Sequence, residues 1–190
     1  NFLTPEEMPH VFQPKRGWVA TANNRHWPSD SAFYGGRSYS AGFRAFRIEE
    51  MLTTQKHDVE TFRRLQCDSV AVDARFLSPM IIKAMEGATL TEAQKTWLED
   101  LARWNQVADL DCKVCPIYRR TLDLSYEKLQ VAEIGFWRLG VENNPEWIKA
   151  TREAFNEATR DLAGKTWRDV HLNAFPHLSA RTDWVYSPEI

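Results

Sequence analysis

The chain has 190 residues, 43% of them hydrophobic and 26% charged, which is enough for one domain and short for two. Its 24 basic and 26 acidic residues leave a net charge of −2, so no field of one sign favours nucleic acid or an anionic membrane, and neither is expected as a partner. No apolar run approaches the roughly 20 residues that would cross a bilayer, while eight Trp and ten Phe supply ample apolar area for a core. No secretory leader is read, and the ends at Asn1 and Ile190 carry no polar tail. The chain is therefore expected to be a piece of a longer protein.

In chain order, residues 1–42 differ from the rest. Pro5, Pro9, Pro14 and Pro28 fall here with Gly17, Gly35, Gly36 and Gly42, a composition that favours extended or looped backbone. Within it, Gly17–Ala22 is β-prone and bounded by turn residues, which predicts one short strand whose partners lie elsewhere in a parent protein. From residue 43 the period is helical. Ala45, Phe46, Ile48, Met51 and Leu52 recur at three- and four-residue spacing. Asp58 is placed to cap a helix bearing Val59, Phe62 and Leu65. Val72, Phe76, Met80 and Ile81 predict the next. Thr91 and Gln94 form a capping box ahead of Ala93, Trp97, Leu101 and Trp104. Pro116 fits a first turn before Ile117, Leu122, Tyr126 and Leu129. Asn144-Pro145 opens a helix with Ile148, Thr151, Phe155 and Leu162, and Gly164 ends it. Residues 165–190 lack a clean period and are expected to be irregular or weakly helical. The expected organisation is an extended arm with the active-site loop over 1–42 and a helical domain of five or six helices over 43–190, a mainly α fold.

Two clusters could carry chemistry. Gly17-Trp18-Val19-Ala20-Thr21-Ala22-Asn23-Asn24-Arg25 places adjacent amides at a strand end. An Asn N–H can face developing negative charge without bearing a charge itself. Turn formation is the commoner use of Asn-Asn, so both roles stay open. Farther on, Arg44 and Arg47 precede Glu49 and Glu50. Arg47 and Glu50 make an ordinary i,i+3 pair on a solvated face. Arg44 stands near a helix start, where the macrodipole mildly disfavours a cation, so it needs a partner carboxylate or a substrate.

The order Gly-aromatic-aliphatic-Ala-x-x-Asn-Asn, followed by Arg44-x-x-Arg47-Ile48-x-x-Met51-Leu52, resembles the β-chain of the penicillin acylases and their relatives, the cephalosporin and acyl-homoserine-lactone acylases. Leu65-Gln66-Cys67-Asp68-Ser69 is similar to that family's helix with a Gln-x-Asp pattern, Phe76-Leu77-Ser78-Pro79 to its following helix end, and Leu101-Ala102-Arg103-Trp104-Asn105 to its Leu-x-x-Trp-Asp/Asn segment. Gly164 to His171 resembles a degraded form of a later segment, without its second Trp and Gly. The resemblance implies an αββα N-terminal-nucleophile hydrolase as parent, in which a serine freed by self-cleavage attacks an amide and its own α-amino group is the base. It implies oxyanion donation by Asn23 and active-site positioning by Arg44. The Ser nucleophile is expected outside this chain, so the piece alone is expected to be inactive. The implied partners are the α-chain, the rest of the β-chain and a small acyl-amide substrate, in a periplasmic or secreted setting. No cofactor is expected; some relatives bind calcium, but a single carboxylate such as Asp30 is too little for a cation that takes six to eight oxygens.

Other residues read more plainly. Cys112-x-x-Cys115 with His171 and His177 does not have zinc-finger spacing, and Cys115-Pro116 at a presumed helix start resembles redox motifs without a thioredoxin-like βαβ around it; a metal-binding module through the two cysteines is a third, weaker rival, and a loop disulfide or buried thiols are the commoner outcomes. His26 and His57 read as surface residues, and Trp97, Trp104, Trp137, Trp147 and Trp167 as core. The rival to the acylase reading is a free-standing helical interaction domain without catalysis. That rival predicts a closed surface, whereas the acylase reading predicts exposed apolar surface around Gly17–Ala22 and Phe43–Phe46.

Overall fold

The computed structural model describes residues 4, 6–8, 10–27, 39–131 and 143–174, with 171–174 described by backbone only. They fall into two compact units, Asn1–Asp68 and Ser69–Ile190. Seven helices form among the described residues, and strand pairing there is confined to one antiparallel bridge, Val70 with Val107. The fold is mainly α, as the helical spacing predicts.

The first unit holds α1 (Phe43–Thr54) and α2 (Val59–Gln66). α1 buries Ala45 and Leu52, one and three turns along the same stripe. Its end is loosened locally: the Thr53 hydroxyl donates to the Glu49 and Glu50 carbonyls and the Thr54 hydroxyl to that of Met51, all within 3.0 Å. α2 starts at the expected cap. Asp58 accepts the Thr61 N–H at 2.8 Å, and Thr61 Oγ1 accepts the Asp58 N–H at 2.7 Å. The Thr61 backbone N–H, then its hydroxyl, hold the Asp58 carboxyl below its ordinary range. The cap is therefore present above the ordinary Asp value and is lost as pH falls through the depressed one.

The arm before α1 has no regular secondary structure from Trp18 to Thr21. It has no ladder partner among the described residues, so the short strand expected at Gly17–Ala22 is not formed here: an extended segment becomes a strand only when a neighbour accepts its hydrogen bonds. Side-chain contacts hold it instead. The Arg16 guanidinium lies 4.2 Å from the centre of the Trp18 ring and donates to the Trp18 carbonyl at 3.0 Å.

The second unit holds α3 (Ala74–Ala84), α4 (Glu92–Arg103), α5 (Val114–Leu129), α6 (Pro145–Leu162) and α7 (Trp167–Ala174). The pairing of α5 with α6 is its most extensive helix contact. Both helices bury small residues: Ala150, Thr151, Ala154 and Ala158 on α6, Thr121 and Ser125 on α5. With no bulk to separate them, two helices approach closely and gain contact along their length. Trp147, Phe155, Leu77, Ile81 and Leu122 fill the space around the seam and are fully buried. Trp97 stacks obliquely on Phe155 at 5.2 Å.

Polar groups pin this core. The Tyr118 hydroxyl donates to Asp73 at 2.9 Å, and burial, with the Asp73 charge beside it, pushes that phenol far above its usual range. Arg152 donates to the Ala84 and Glu86 carbonyls at 2.7 and 2.6 Å, which satisfies the end of α3. Gln94 is used twice over: Oε1 accepts the Thr91 N–H at 3.0 Å in the expected capping box, while Nε2 donates to Asn156 and Thr159 of α6 at 2.9 and 3.1 Å.

Two expectations change. Pro79 does not end a helix; it lies inside α3, where Met80, Ile81 and Ala84 beyond it are buried and hold the helix against the loss of one N–H. Residues 167–174, expected to be irregular or weakly helical, form α7, started by Asp169, which accepts the Thr166 N–H and hydroxyl at 2.8 Å. Trp97 and Trp147 are core as expected, and Trp137 lies outside the described residues. Replacing the fully buried Phe155 by Ala should lower unfolding stability in urea by about 3–5 kcal/mol. A loss under about 1 kcal/mol would remove Phe155 from the core.

Candidate functional site

The site starts from a conflict of charge. Arg44 is the second residue of α1, at the positive end of the helix dipole, and the preceding Gly42 offers no side-chain cap. Its side chain turns back to the arm. Nη2 donates to Asn23 Oδ1 at 2.9 Å, to the Ala22 carbonyl at 3.0 Å and to Ser40 Oγ at 3.3 Å. That nitrogen carries two hydrogens, so the longest contact is shared. Three oxygens thus supply the partner that the sequence position demands, and none of them is a carboxylate.

The arm is shaped to present them. Asn23 has φ +60°, in the left-handed region that Asn tolerates better than most residues. Asn24 Oδ1 accepts the Ala22 N–H at 3.1 Å, and the Asn23 carbonyl accepts the Ser40 N–H at 2.8 Å. The two amides divide the roles left open by the sequence: Asn24 closes the turn with its side chain, and the side chain of Asn23 is released from it. A guanidinium only donates, so the oxygen of the Asn23 amide faces Arg44 and its NH2 faces away. Among the described residues that NH2 meets no acceptor, and Asn23 is exposed. A charged donor on Oδ1 also draws electron density from the amide and makes its N–H a stronger donor.

α1 itself is held by Arg47. Its Nε and Nη2 form a fork on Asp68, at 2.8 and 2.7 Å, and Nη1 reaches Glu50 at 2.6 Å. The hydrogen bond to Asp68, opposed by partial burial and aided by Glu50, raises the guanidinium further above its already high range. The i,i+3 pair expected from the sequence is therefore the smaller half of the arrangement. Its larger half was missed because Asp68 lies 21 residues away, although Gln66-Cys67-Asp68 stood among the quoted motifs. Bidentate, partly buried Arg–carboxylate pairs fix geometry far better than exposed ones.

The remaining candidates do not join this cluster. His26 Nε2 and Thr21 Oγ1 lie 2.8 Å apart in the exposed arm. The His57 ring packs against Phe62 at 5.1 Å and is half-buried, not a surface residue. Cys112 and Cys115 are joined as a disulfide, so neither is a thiolate able to ligate zinc, and His177 and Asp30 lie outside the described residues. Among the described residues no group of three or more His, Cys, Asp or Glu could hold a metal ion, so nothing there fits calcium and no step is derived through it. No helix among them is long and apolar enough to cross a membrane.

Comparison with known proteins bears on this geometry. The family model described as penicillin amidase matches residues 1–187. The chain is also similar to the acyl-homoserine lactone acylase QuiP of Pseudomonas fluorescens, 25% identical over 159 residues, a match that covers 77% of this chain and 19% of that protein. The chain thus corresponds to about a fifth of the length of that relative.

The fork on Asp68 is open to direct test. Asp68→Asn should lower unfolding stability by about 1.5–3 kcal/mol in urea, because it leaves a half-buried guanidinium short of its carboxylate. An unchanged midpoint would show that Arg47 holds α1 without it.

Proposed function

The chain belongs to the penicillin amidase family, and on that premise we propose that it is part of an amide hydrolase, cleaving an acyl amide to a carboxylic acid and an amine, to which it contributes Asn23 and Arg44. The observation that carries this reading is the 2.9 Å bond from Arg44 to Asn23 Oδ1. It turns the Asn23 NH2 outward as a neutral donor that meets no acceptor among the described residues, suited to a tetrahedral oxyanion. Arg44 is the positioning residue: it fixes which end of the amide faces out and strengthens the N–H. The nucleophilic Ser and its α-amino base belong to a part of the protein outside this chain, and the piece alone is inactive.

Exposed apolar groups support a cover supplied by the rest of the acylase. Val19 on the arm is 57% exposed and Phe46 on α1 is 49% exposed, both in the stretches where the acylase reading expects apolar surface. Val59 of α2, at 89%, widens the exposed apolar area beyond those stretches. Apolar exposure in those stretches favours a surface completed by further chain over a closed, free-standing domain. The setting in this reading is periplasmic or secreted, and the acid and amine portions are left to residues of the remaining chain.

The test uses the full-length protein with phenylacetyl, aliphatic-acyl and homoserine-lactone amides. Asn23→Ala should fold, still self-cleave, and lose on the order of 100- to 1,000-fold in kcat with little change in KM. Arg44→Ala, which removes the donor to Asn23 Oδ1, should lose about tenfold. Equal activity of Asn23→Ala and wild type would overturn the oxyanion role, and a wild type inert on every amide would overturn the hydrolase reading itself.

A further inference from the structure

A second reactive group lies in the other unit. Cys112 and Cys115 are bonded to each other across the loop that leads into α5. Their surroundings differ. Cys115, the second residue of α5, is 2% exposed, whereas Cys112 is half-buried. Lys113, which precedes the helix, makes no side-chain cap, and the Cys115 N–H donates instead to Cys112 Sγ at 3.1 Å. Cys115 Sγ lies 3.8 Å from the Val107 carbonyl oxygen.

We propose that Cys112–Cys115 is a disulfide exchangeable with small dithiols, with Cys112 as the sulfur attacked. The inference rests on the geometry of this loop and is independent of the amidase reading. Only Cys112 is open to an incoming thiolate; the buried Cys115 is shielded. Each sulfur of the reduced pair also has a partner waiting. A Cys112 thiolate keeps the Cys115 N–H and sits at the positive end of α5, both of which favour its charged form. A Cys115 thiol faces the Val107 oxygen as acceptor. Neither sulfur has to move far to be satisfied after the bond opens.

The exchange balances. A thiolate of the dithiol attacks Cys112 Sγ, the bond between the two sulfurs breaks, and Cys115 leaves as a thiolate that takes a proton from water. The second thiol of the reagent, once deprotonated, attacks its own sulfur in the mixed disulfide. That closes the reagent into a cyclic disulfide and releases Cys112. Two electrons and two protons pass from the dithiol to the pair. The loop is tied to the start of α7: the Cys112 carbonyl accepts the Trp167 N–H at 2.9 Å and the Leu110 carbonyl accepts that of Arg168 at 2.8 Å.

The experiment uses the full-length protein with Cys67→Ser, since Cys67 is an exposed free thiol that would react on its own. Dithiothreitol is added without denaturant, thiols are trapped with iodoacetamide, and labelled peptides are located by mass spectrometry. Both Cys112 and Cys115 should be unlabelled before reduction and labelled after it. With single thiols, Cys112 in Cys115→Ser should react at least about tenfold faster than Cys115 in Cys112→Ser, following exposure and thiolate character. Reduction that needs denaturant, labelling of both sulfurs before reductant, or a Cys115 that reacts as fast as Cys112 would each overturn the proposal.

Discussion

A guanidinium at the second position of a helix is in the wrong field unless something answers it. In the first unit that answer is a set of three oxygens from the arm and from the turn before α1, gathered on Arg44 Nη2. Everything chemically distinctive in that unit follows from this gathering. It fixes the arm to the helix start, sets the outward end of the Asn23 amide, and makes use of a left-handed backbone at Asn23 that few other residues would accept. The Arg47–Asp68 fork lies one turn farther along α1 and keeps the helix that carries Arg44 in place. Two arginines three residues apart therefore have separate duties: one orients a donor, the other anchors its platform.

The second unit is organised by a different constraint, the closeness of α5 and α6. Small buried side chains on both helices permit the approach, and the large Trp147 and Phe155 are fully buried. The Ser125 hydroxyl donates back to the Thr121 carbonyl at 2.6 Å, so this polar group enters the core without breaking the helix, whereas the buried Thr121 and Thr151 hydroxyls meet no partner among the described residues.

Sequence reasoning reached furthest where the physics is local. Asp58, Thr91 with Gln94, and Asn144 with Pro145 act within one turn, and each starts its helix as read. Gly164, with φ +78°, follows the last helical turn of α6 for the same reason. The start of α7 was equally local, since Thr166 and Asp169 have capping-box spacing, but the aromatic residues around them obscured the period. What the sequence could not carry was pairing at a distance. The Arg47–Asp68 fork joins residues on different helices, and the arm at Gly17–Ala22 has strand composition without a neighbour to complete it. At the candidate site, the position of Arg44 showed that a partner was required, yet not that the partner would be an amide oxygen and a main-chain carbonyl.

The double use of Gln94 has a dynamic consequence. A capping box ordinarily closes on itself, and the first turn of a helix frays independently of the rest of the fold. Here the same amide that closes the cap also holds Asn156 and Thr159, in the C-terminal half of α6. Fraying the start of α4 must therefore release a contact with α6, and separating the two helices must loosen the cap. The amide protons of that first turn are thereby placed in the same opening event as the packing of α4 on the core, and their exchange with solvent reports a cooperative unfolding unit in place of a loose helix end.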